Sequence, residues 1–438
     1  MKKFLTIFLV LCVALVAFGK VEAATTVPGG PFASAINIQN IGTGSATVTV
    51  QYVNPAGAVA FTSTHTIAVE DVLSIYVPSV GGLASGEYSV VVSSTQPIAA
   101  ISNFSDINSG ASYSGASAGS TSWFIPGVYD NYYGYYSEVY AQNISSSAQN
   151  ITLQVFAPGS ATPVYTNTKS AVPANASVNW GLKDLAELNA NVTYSAKVTA
   201  SAEVVAIANT FGSAATAAQL YSFNAFPSGS KTFYVPVVMK NYYGWNVAIA
   251  IQNVSTVAAN VTITYSGGLV KTYVVQPNSA KSIYIPGETE LPNGIFSAKV
   301  TSDQDVAVMV NESNNYNRAA THTGVAAATQ TVYVPNVMKR YYNYSSSVTC
   351  QNLGSAAATM HIEYAGQPAA AETSAAIAPG ANWVIYLPIK DALANSYNGS
   401  AQITANQPIA CIVNSNMDEA PYSTQSMDML YSYNGVNK

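Results

Sequence analysis

The sequence predicts an all-β protein, and three observations point there. First, a Gln-Asn pair closes an apolar strand four times, at Gln39-Asn40, Gln142-Asn143, Gln252-Asn253 and Gln351-Asn352. The intervals are 103, 110 and 99 residues (39→142→252→351), each about the size of one sandwich domain. Second, the strands show period-two alternation, as in Val247, Ile249 and Ile251 set against Ala248, Ala250 and Gln252. Third, no long amphipathic helix interrupts the Val-, Ile-, Thr- and Tyr-rich runs.

The elements follow in order within each repeat. A strand ending in Val-Pro or Ile-Pro opens it (Phe124-Ile125-Pro126, Tyr234-Val235-Pro236, Tyr333-Val334-Pro335), and the step from Pro to Gln is 16 residues in all three copies. A first copy, Val27-Pro28 to Gln39, has a step of only 11 and so lacks a loop. After Gln-Asn come short runs such as 261–265, 272–275, 282–285, 297–301 and 306–310, separated by turn-forming pieces such as Ser266-Gly267-Gly268. About seven short strands per repeat predict four tandem immunoglobulin-like antiparallel β-sandwiches: residues 24–121, 122–230, 231–330 and 331–438. Leu182–Leu188 and Ile389–Leu393 read as one helical turn each, crossing between sheets. Ser/Ala/Gly/Asn-rich stretches such as 109–122 and 319–330 read as connections between repeats.

Residues 1–23 read as an export signal, with Lys2 and Lys3, an apolar run from Phe4 to Phe18, and Val21-Glu22-Ala23 before the cleavage point. The apolar run is shorter than the ~20 residues a membrane span needs, so no transmembrane anchor is expected in the mature chain. A secreted, extracellular or cell-surface location follows. Only 8% of residues are charged against 49% hydrophobic, and the net charge is −5 without a basic run, which excludes a nucleic-acid partner.

Cys350 and Cys411 fall in core-facing slots of two strands in the last repeat. In an exported protein they form either a disulfide or a pair of buried thiols; the bond would stabilise the repeat by ~4 kcal/mol. The residues of greatest functional interest are the aromatic loop between the Pro strand and the Gln-Asn strand: Tyr132, Tyr133 and Tyr135, then Tyr242, Tyr243 and Trp245, then Tyr341, Tyr342 and Tyr344. Rings with a polar tip suit packing between repeats, contact between subunits, or stacking on glycans.

His65, His322 and His361 are scattered without a partner at motif spacing, and the carboxylates do not recur as a pair, so no catalytic residue, metal site or cofactor is expected. Asp106-Ile107-Asn108-Ser109-Gly110 has half the pattern of a calcium loop but no closing Glu. Asn-x-Ser/Thr sequons such as Asn143 and Asn253 are as frequent as composition alone would give.

The Tyr-Val-Pro…Tyr-Tyr-Gly-Trp…Gln-Asn repeat is similar to those of bacterial tandem-repeat cell-surface and S-layer-type proteins. The resemblance implies architecture and location, not a mechanism. The expected function is a non-enzymatic structural subunit of a filament, sheath or surface layer, self-associating head to tail. In such a polymer residues 24–32 would add as a strand to a neighbouring copy. The alternative is an adhesin or carbohydrate-binding repeat protein that uses the aromatic loops on cell-surface glycans.

Overall fold

The computed structural model describes residues 11–15, 30–212, 219–315, 317–417 and 428–438. Among them are strands and short 3-10 turns but no α-helix. Repeat 1 carries β1 (Leu11–Leu15), β2 (Ala33–Asn40), β3 (Ala46–Val53), β4 (Val59–Ile67), β5 (Val72–Tyr76), β6 (Tyr88–Ser94), β7 (Ile98–Ser105) and β8 (Ser109–Ser114). Repeat 2 carries β9 (Ser120–Tyr129), β10 (Tyr135–Asn143), β11 (Gln149–Phe156), β12 (Pro163–Val172), β13 (Ser177–Gly181), β14 (Thr193–Gly212) and β15 (Leu220–Asn224). Repeat 3 follows with β16 (Ser230–Lys240), β17 (Trp245–Asn253), β18 (Ala259–Tyr265), β19 (Val270–Val275), β20 (Ala280–Tyr284), β21 (Gly294–Asn314) and β22 (Ala319–Thr323). Repeat 4 has β23 (Thr329–Lys339), β24 (Tyr344–Asn352), β25 (Met360–Tyr364), β26 (Glu372–Thr373), β27 (Asn382–Tyr386), β28 (Tyr397–Met417), β29 (Asp428–Asn434) and β30 (Val436–Asn437).

Every repeat pairs its strands the same way. In repeat 2 the first half of β14 joins β9 and β11-β12, and its second half joins β10-β13 and β15. Repeat 1 makes the same two sheets, β1-β6-β3-β4 and β5-β2-β7-β8, from two separate strands, β6 and β7. This order differs from the expected immunoglobulin type. There the second and seventh strands lie in opposite sheets, whereas β10 pairs directly with the second half of β14, the part equivalent to β7, from Tyr135–Gly212 to Asn143–Val204, as β2 does with β7. The long strand passes from one sheet to the other and serves both. The expected helical turns at 182–188 and 389–393 are series of non-helical turns, the second preceded by a 3-10 turn at Leu387–Ile389.

Of the expected export signal, residues 1–10 and 16–23 lie outside the described residues. Leu11–Leu15 lies along β6 with Leu11 opposite Val92 and Val13 opposite Val90. The Val-Pro strand holds the matching place in repeat 2, with Trp123 opposite Val198 and Ile125 opposite Ala196. Of residues 24–32, only Gly30, Pro31 and Phe32 are described. Phe32 is buried in repeat 1 against Phe104, ring centroids 6.2 Å apart.

The landmark residues are explained by what they bind. Asn40, Asn143, Asn253 and Asn352 are fully buried, and each side-chain amide donates to backbone carbonyls of two separate loops. Without such a partner these carbonyls would be buried unpaired, at ~1–3 kcal/mol each. The neighbouring Gln reaches across to the previous repeat: Gln252 Nε2 donates to the Ala196 carbonyl (3.1 Å) and Gln351 Nε2 to the Ala298 carbonyl (3.4 Å).

The same straps continue past the last repeat back to the first. Gln39 Nε2 donates to the Ala401 carbonyl of repeat 4 at 3.4 Å, the position equivalent to Ala196 and Ala298. A serine series runs alongside: Ser177–Ser89 (3.3 Å), Ser195 to the Asn278 carbonyl (2.7 Å), Ser297 to the Gly380 carbonyl, and Ser400 to the Glu70 carbonyl (3.2 Å). Apolar knobs close the same circle. Ile207 packs into the core of repeat 1, Met309 into that of repeat 2, Ile412 into that of repeat 3, and Ile101 into that of repeat 4. The four repeats form a closed ring.

The Ser/Ala/Gly-rich stretches expected to be connections are instead the strands at its axis. β8, β15, β22 and β29 contact one another in cyclic order, and β29 pairs in parallel with β8 through Asp428–Ser109 and Met429–Gly110. Small residues are needed because the strands crowd: a Cβ on Gly110 would stand 2.7 Å from the Tyr431 ring. Buried Asp428 fastens this end, accepting from the Leu220 and Ala319 amides, both at 2.7 Å, while its own amide donates to the Asn108 carbonyl. The first and last repeats, expected to face neighbouring copies, meet each other within one chain.

Candidate functional site

Each aromatic loop is a two-residue hairpin. Tyr132 and Tyr135 exchange both backbone hydrogen bonds, as do Tyr242 with Trp245 and Tyr341 with Tyr344, all at 2.9–3.0 Å. The central residues, Tyr133-Gly134, Tyr243-Gly244 and Tyr342-Asn343, all have positive φ, the geometry of a type I′ turn. Asn or Gly is favoured at its first central position; here it is Tyr, at φ 51°, 49° and 47°. A bulky residue there is strained by ~1 kcal/mol or more. Burial does not offset the strain, because Tyr133, Tyr243 and Tyr342 are 76%, 85% and 77% exposed. Each tip ring stands edge-on against the preceding tyrosine, centroids 4.7–4.9 Å apart, which fixes its direction.

The flanking rings are half-buried and face the axis strands. Tyr135 packs edge-on against Tyr221 at 5.8 Å, and Tyr344 stacks on Tyr431 at 5.2 Å. Trp245 contributes to the edge of the repeat 3 core. The rings of each hairpin therefore divide: the flanking ones pack, and the tips stand out.

Two hollows open beside these hairpins. One, about 450 Å³, lies between the Tyr132–Tyr135 hairpin of repeat 2 and Tyr284 on β20 of repeat 3. The other, about 580 Å³, lies between the Tyr242–Trp245 hairpin of repeat 3 and Tyr386 on β27 of repeat 4. Both sizes suit a bound small molecule or a segment of polymer. Register shows Tyr284 and Tyr386 to be equivalent, each one place beyond the Ile that faces β17 or β24; Tyr76 on β5 is the third member. All three are exposed, at 59%, 40% and 55%. In repeat 2 the equivalent place on β13 is Gly181, opposite Glu138. That strand faces repeat 1, the repeat without the hairpin. Sequence reasoning found the hairpin rings by their repetition but missed these tyrosines, whose partners lie in another repeat.

Burial raises the phenols: Tyr129, on the wall of the first hollow, is pushed up to about 12, and Tyr135 is also raised. They remain protonated hydroxyls at neutral pH, able to donate and accept. In the second hollow Glu312 is buried; its Oε2 accepts from Asn414 Nδ2 at 2.8 Å, and its Oε1 lies 3.1 Å from His322 Nε2. His65 contacts Ser63, and exposed His361 contacts Thr373 and Glu363. Asp106 caps its own turn, accepting from the amides of Asn108 and Ser109 at 2.8 and 2.7 Å. Among the described residues no three His, Cys, Asp or Glu side chains cluster as a metal site would need.

Cys350 and Cys411 are directly opposite each other on β24 and β28 and are joined by a disulfide, the first of the two alternatives that their core-facing slots allow. The sequence missed one carboxylate pair. Glu87 of repeat 1 is pushed up to about 7 by burial and by nearby Glu138 of repeat 2, whose carboxylate accepts from the Tyr140 hydroxyl at 2.8 Å.

No helix among the described residues is long and apolar enough to cross a membrane. No protein-family model matches the chain, and no curated protein matches it. Solved structures give only weak likenesses, two of which follow. The crystal structure of Thermotoga maritima 1070 is 16% identical over 25% of this chain and 94% of that one, with a TM-score of 0.22. The tetra-tandem repeat in the extending region of a large adhesion protein is 11% identical over 98% of this chain and 99% of that one, with a TM-score of 0.13. At such TM-scores neither likeness bears on what the chain does.

Proposed function

We propose that the chain is a non-enzymatic adhesive protein of the cell exterior, its four tandem β-sandwich modules closed into a ring that engages a partner through the aromatic hairpins. The observation that carries this reading is the set of three tip tyrosines, exposed and held at an unfavourable positive φ. Strain that persists without burial to offset it is a mark of function. The export signal read in residues 1–23 supports the location.

The structural-subunit reading keeps its argument from low charge, but its head-to-tail joint is used inside the chain, where β29 pairs with β8. Beads coated with the protein are expected to bind cell surfaces. A Tyr133→Asn/Tyr243→Asn/Tyr342→Asn variant, which keeps a residue tolerant of positive φ, should lose at least about tenfold in affinity, the equivalent of ~1.4 kcal/mol. Unchanged binding by a folded variant would overturn the adhesive reading. A regular lattice or filament in electron micrographs would restore the structural one.

A further inference from the structure

We propose that the hollow joints between repeats 2 and 3 and between repeats 3 and 4 are binding sites for an uncharged carbohydrate chain. The proposal rests on the adhesive reading and names its ligand. The first argument is that the hollows are built. The cross-strand pair Tyr136–Phe211 at joint 1/2 occupies the register place held by Asn246–Ser313 at joint 2/3 and Ser345–Asn416 at joint 3/4. At joint 1/2 both rings are buried in the core of repeat 1, stacked with centroids 6.1 Å apart. Beside them Tyr140, also in that core, takes the place of Ala250 and Thr349. One backbone frame is thus packed solid once and left open where small residues line it.

The second argument is that the two walls occur together. A hairpin tip on one repeat and a tyrosine on the facing strand of the next are both present at the two hollow joints and both missing at joint 1/2; joint 4/1 also carries such a pair, Tyr342 and Tyr76. Opposed aromatic walls suit the apolar faces of sugar rings.

The third argument is charge and hydrogen-bonding capacity. Among the described residues the hollow at joint 2/3 is lined by no Asp, Glu, Lys, Arg or His to give a charged ligand a counter-charge. Its floor carries hydroxyls and an amide, including Thr193, Ser282, Ser313 and Asn311, which both donate and accept. Sugar hydroxyls also do both. A proline-rich peptide, the other ligand of tyrosine-lined grooves, offers carbonyls but few donors. At joint 3/4 two charged side chains line the hollow: Glu312, whose Oε2 accepts from Asn414 Nδ2 and whose Oε1 lies 3.1 Å from His322 Nε2, and buried Arg318, whose charge acts on the Asp428 carboxyl; Asn414 and Asn416 each have a side-chain oxygen without a hydrogen-bond partner.

The test is calorimetric titration of the whole protein with hexamers of glucose, mannose and N-acetylglucosamine, alongside decaproline and hexagalacturonate. Trp245 fluorescence serves as a local reporter, because that ring borders only the joint 3/4 hollow of the two. At least one neutral hexamer should bind at both joints and perturb Trp245. Ser313→Phe, which copies Phe211, should remove one site and leave the Trp245 response intact; Asn416→Phe should remove the other site together with that response. Matching melting temperatures show that both variants are folded, and Tyr243→Asn, which leaves the floor untouched, should weaken the Trp245-linked site at least tenfold. If no neutral hexamer binds, if decaproline or hexagalacturonate binds instead, or if the filled variants bind unchanged, the proposal is overturned. If the beads nonetheless adhere through the tips, the adhesive reading stands and only the carbohydrate falls.

Discussion

Joint 1/2 and joint 2/3 are made by the same strands in the same register, yet one is solid and the other hollow. At the solid joint Tyr136, Tyr140 and Phe211 are buried in the core of repeat 1. At the hollow joint their places fall to Asn246, Ala250 and Ser313, and the rim is raised by an aromatic hairpin and Tyr284. What both joints share holds the ring together: a knob (Ile207 or Met309) and a serine strap (Ser177–Ser89 or Ser195 to the Asn278 carbonyl). Cohesion and binding are therefore separable in this frame, and variants can address them one at a time.

The largest effect is expected at the solid joint. Phe211→Ala should cost about 3–5 kcal/mol by denaturant unfolding, because it opens a cavity in the core of repeat 1. Ser313→Ala, at the same place in the hollow joint, should stay within about 0.5 kcal/mol. Equal costs would show that the two joints do not differ in packing.

The two joints should also respond differently to pH. Glu87, at the solid joint, is raised to about 7 in the folded protein by burial and by Glu138. A carboxyl with a raised folded value holds a proton that the unfolded chain has released. Its contribution is therefore most favourable below the unfolded value near 4.5 and is lost as pH rises towards about 7. Unfolding followed from pH 4.5 to 7 should show this loss, and Glu87→Gln should flatten it. A variant with the wild-type slope would assign the pH dependence elsewhere.

The smallest effect on stability, and the one that most sharpens the comparison, is at a tip. Tyr243→Asn relieves an aromatic residue of positive φ and should be neutral or stabilising by up to about 1 kcal/mol while binding falls. A clear loss of stability would mean that the tip ring packs more than its exposure implies.

Much of this organisation was legible in the sequence because it repeats. The Gln-Asn pair marked each repeat, and the structure shows why: the Asn ties two loops and the Gln straps three of the joints. The disulfide was legible because strand parity placed Cys350 and Cys411 in core slots. Ring closure was not legible, since a repeat period carries no information on the angle between neighbours. The axis strands read as connections in the sequence because crowding at the axis selects Gly, Ala and Ser, the composition of a loop. The hollows were hidden for another reason: their walls come from different repeats, Tyr133 facing the strand of Tyr284 and Tyr243 that of Tyr386. The strand order was misjudged because alternation reports which face is buried, not which strand lies alongside.

Closure of the ring underlies the joints, the hollows and the placing of the tips. Small-angle X-ray scattering of the purified protein tests it most directly. A closed arrangement of this chain length should give a radius of gyration of about 22–25 Å, close to that of a compact globule. Four sandwiches strung end to end should instead give roughly 40 Å or more, since the radius of gyration then grows with the length of the string rather than with its packed volume. The smaller value is expected; the larger would contradict the ring and, with it, every joint described above.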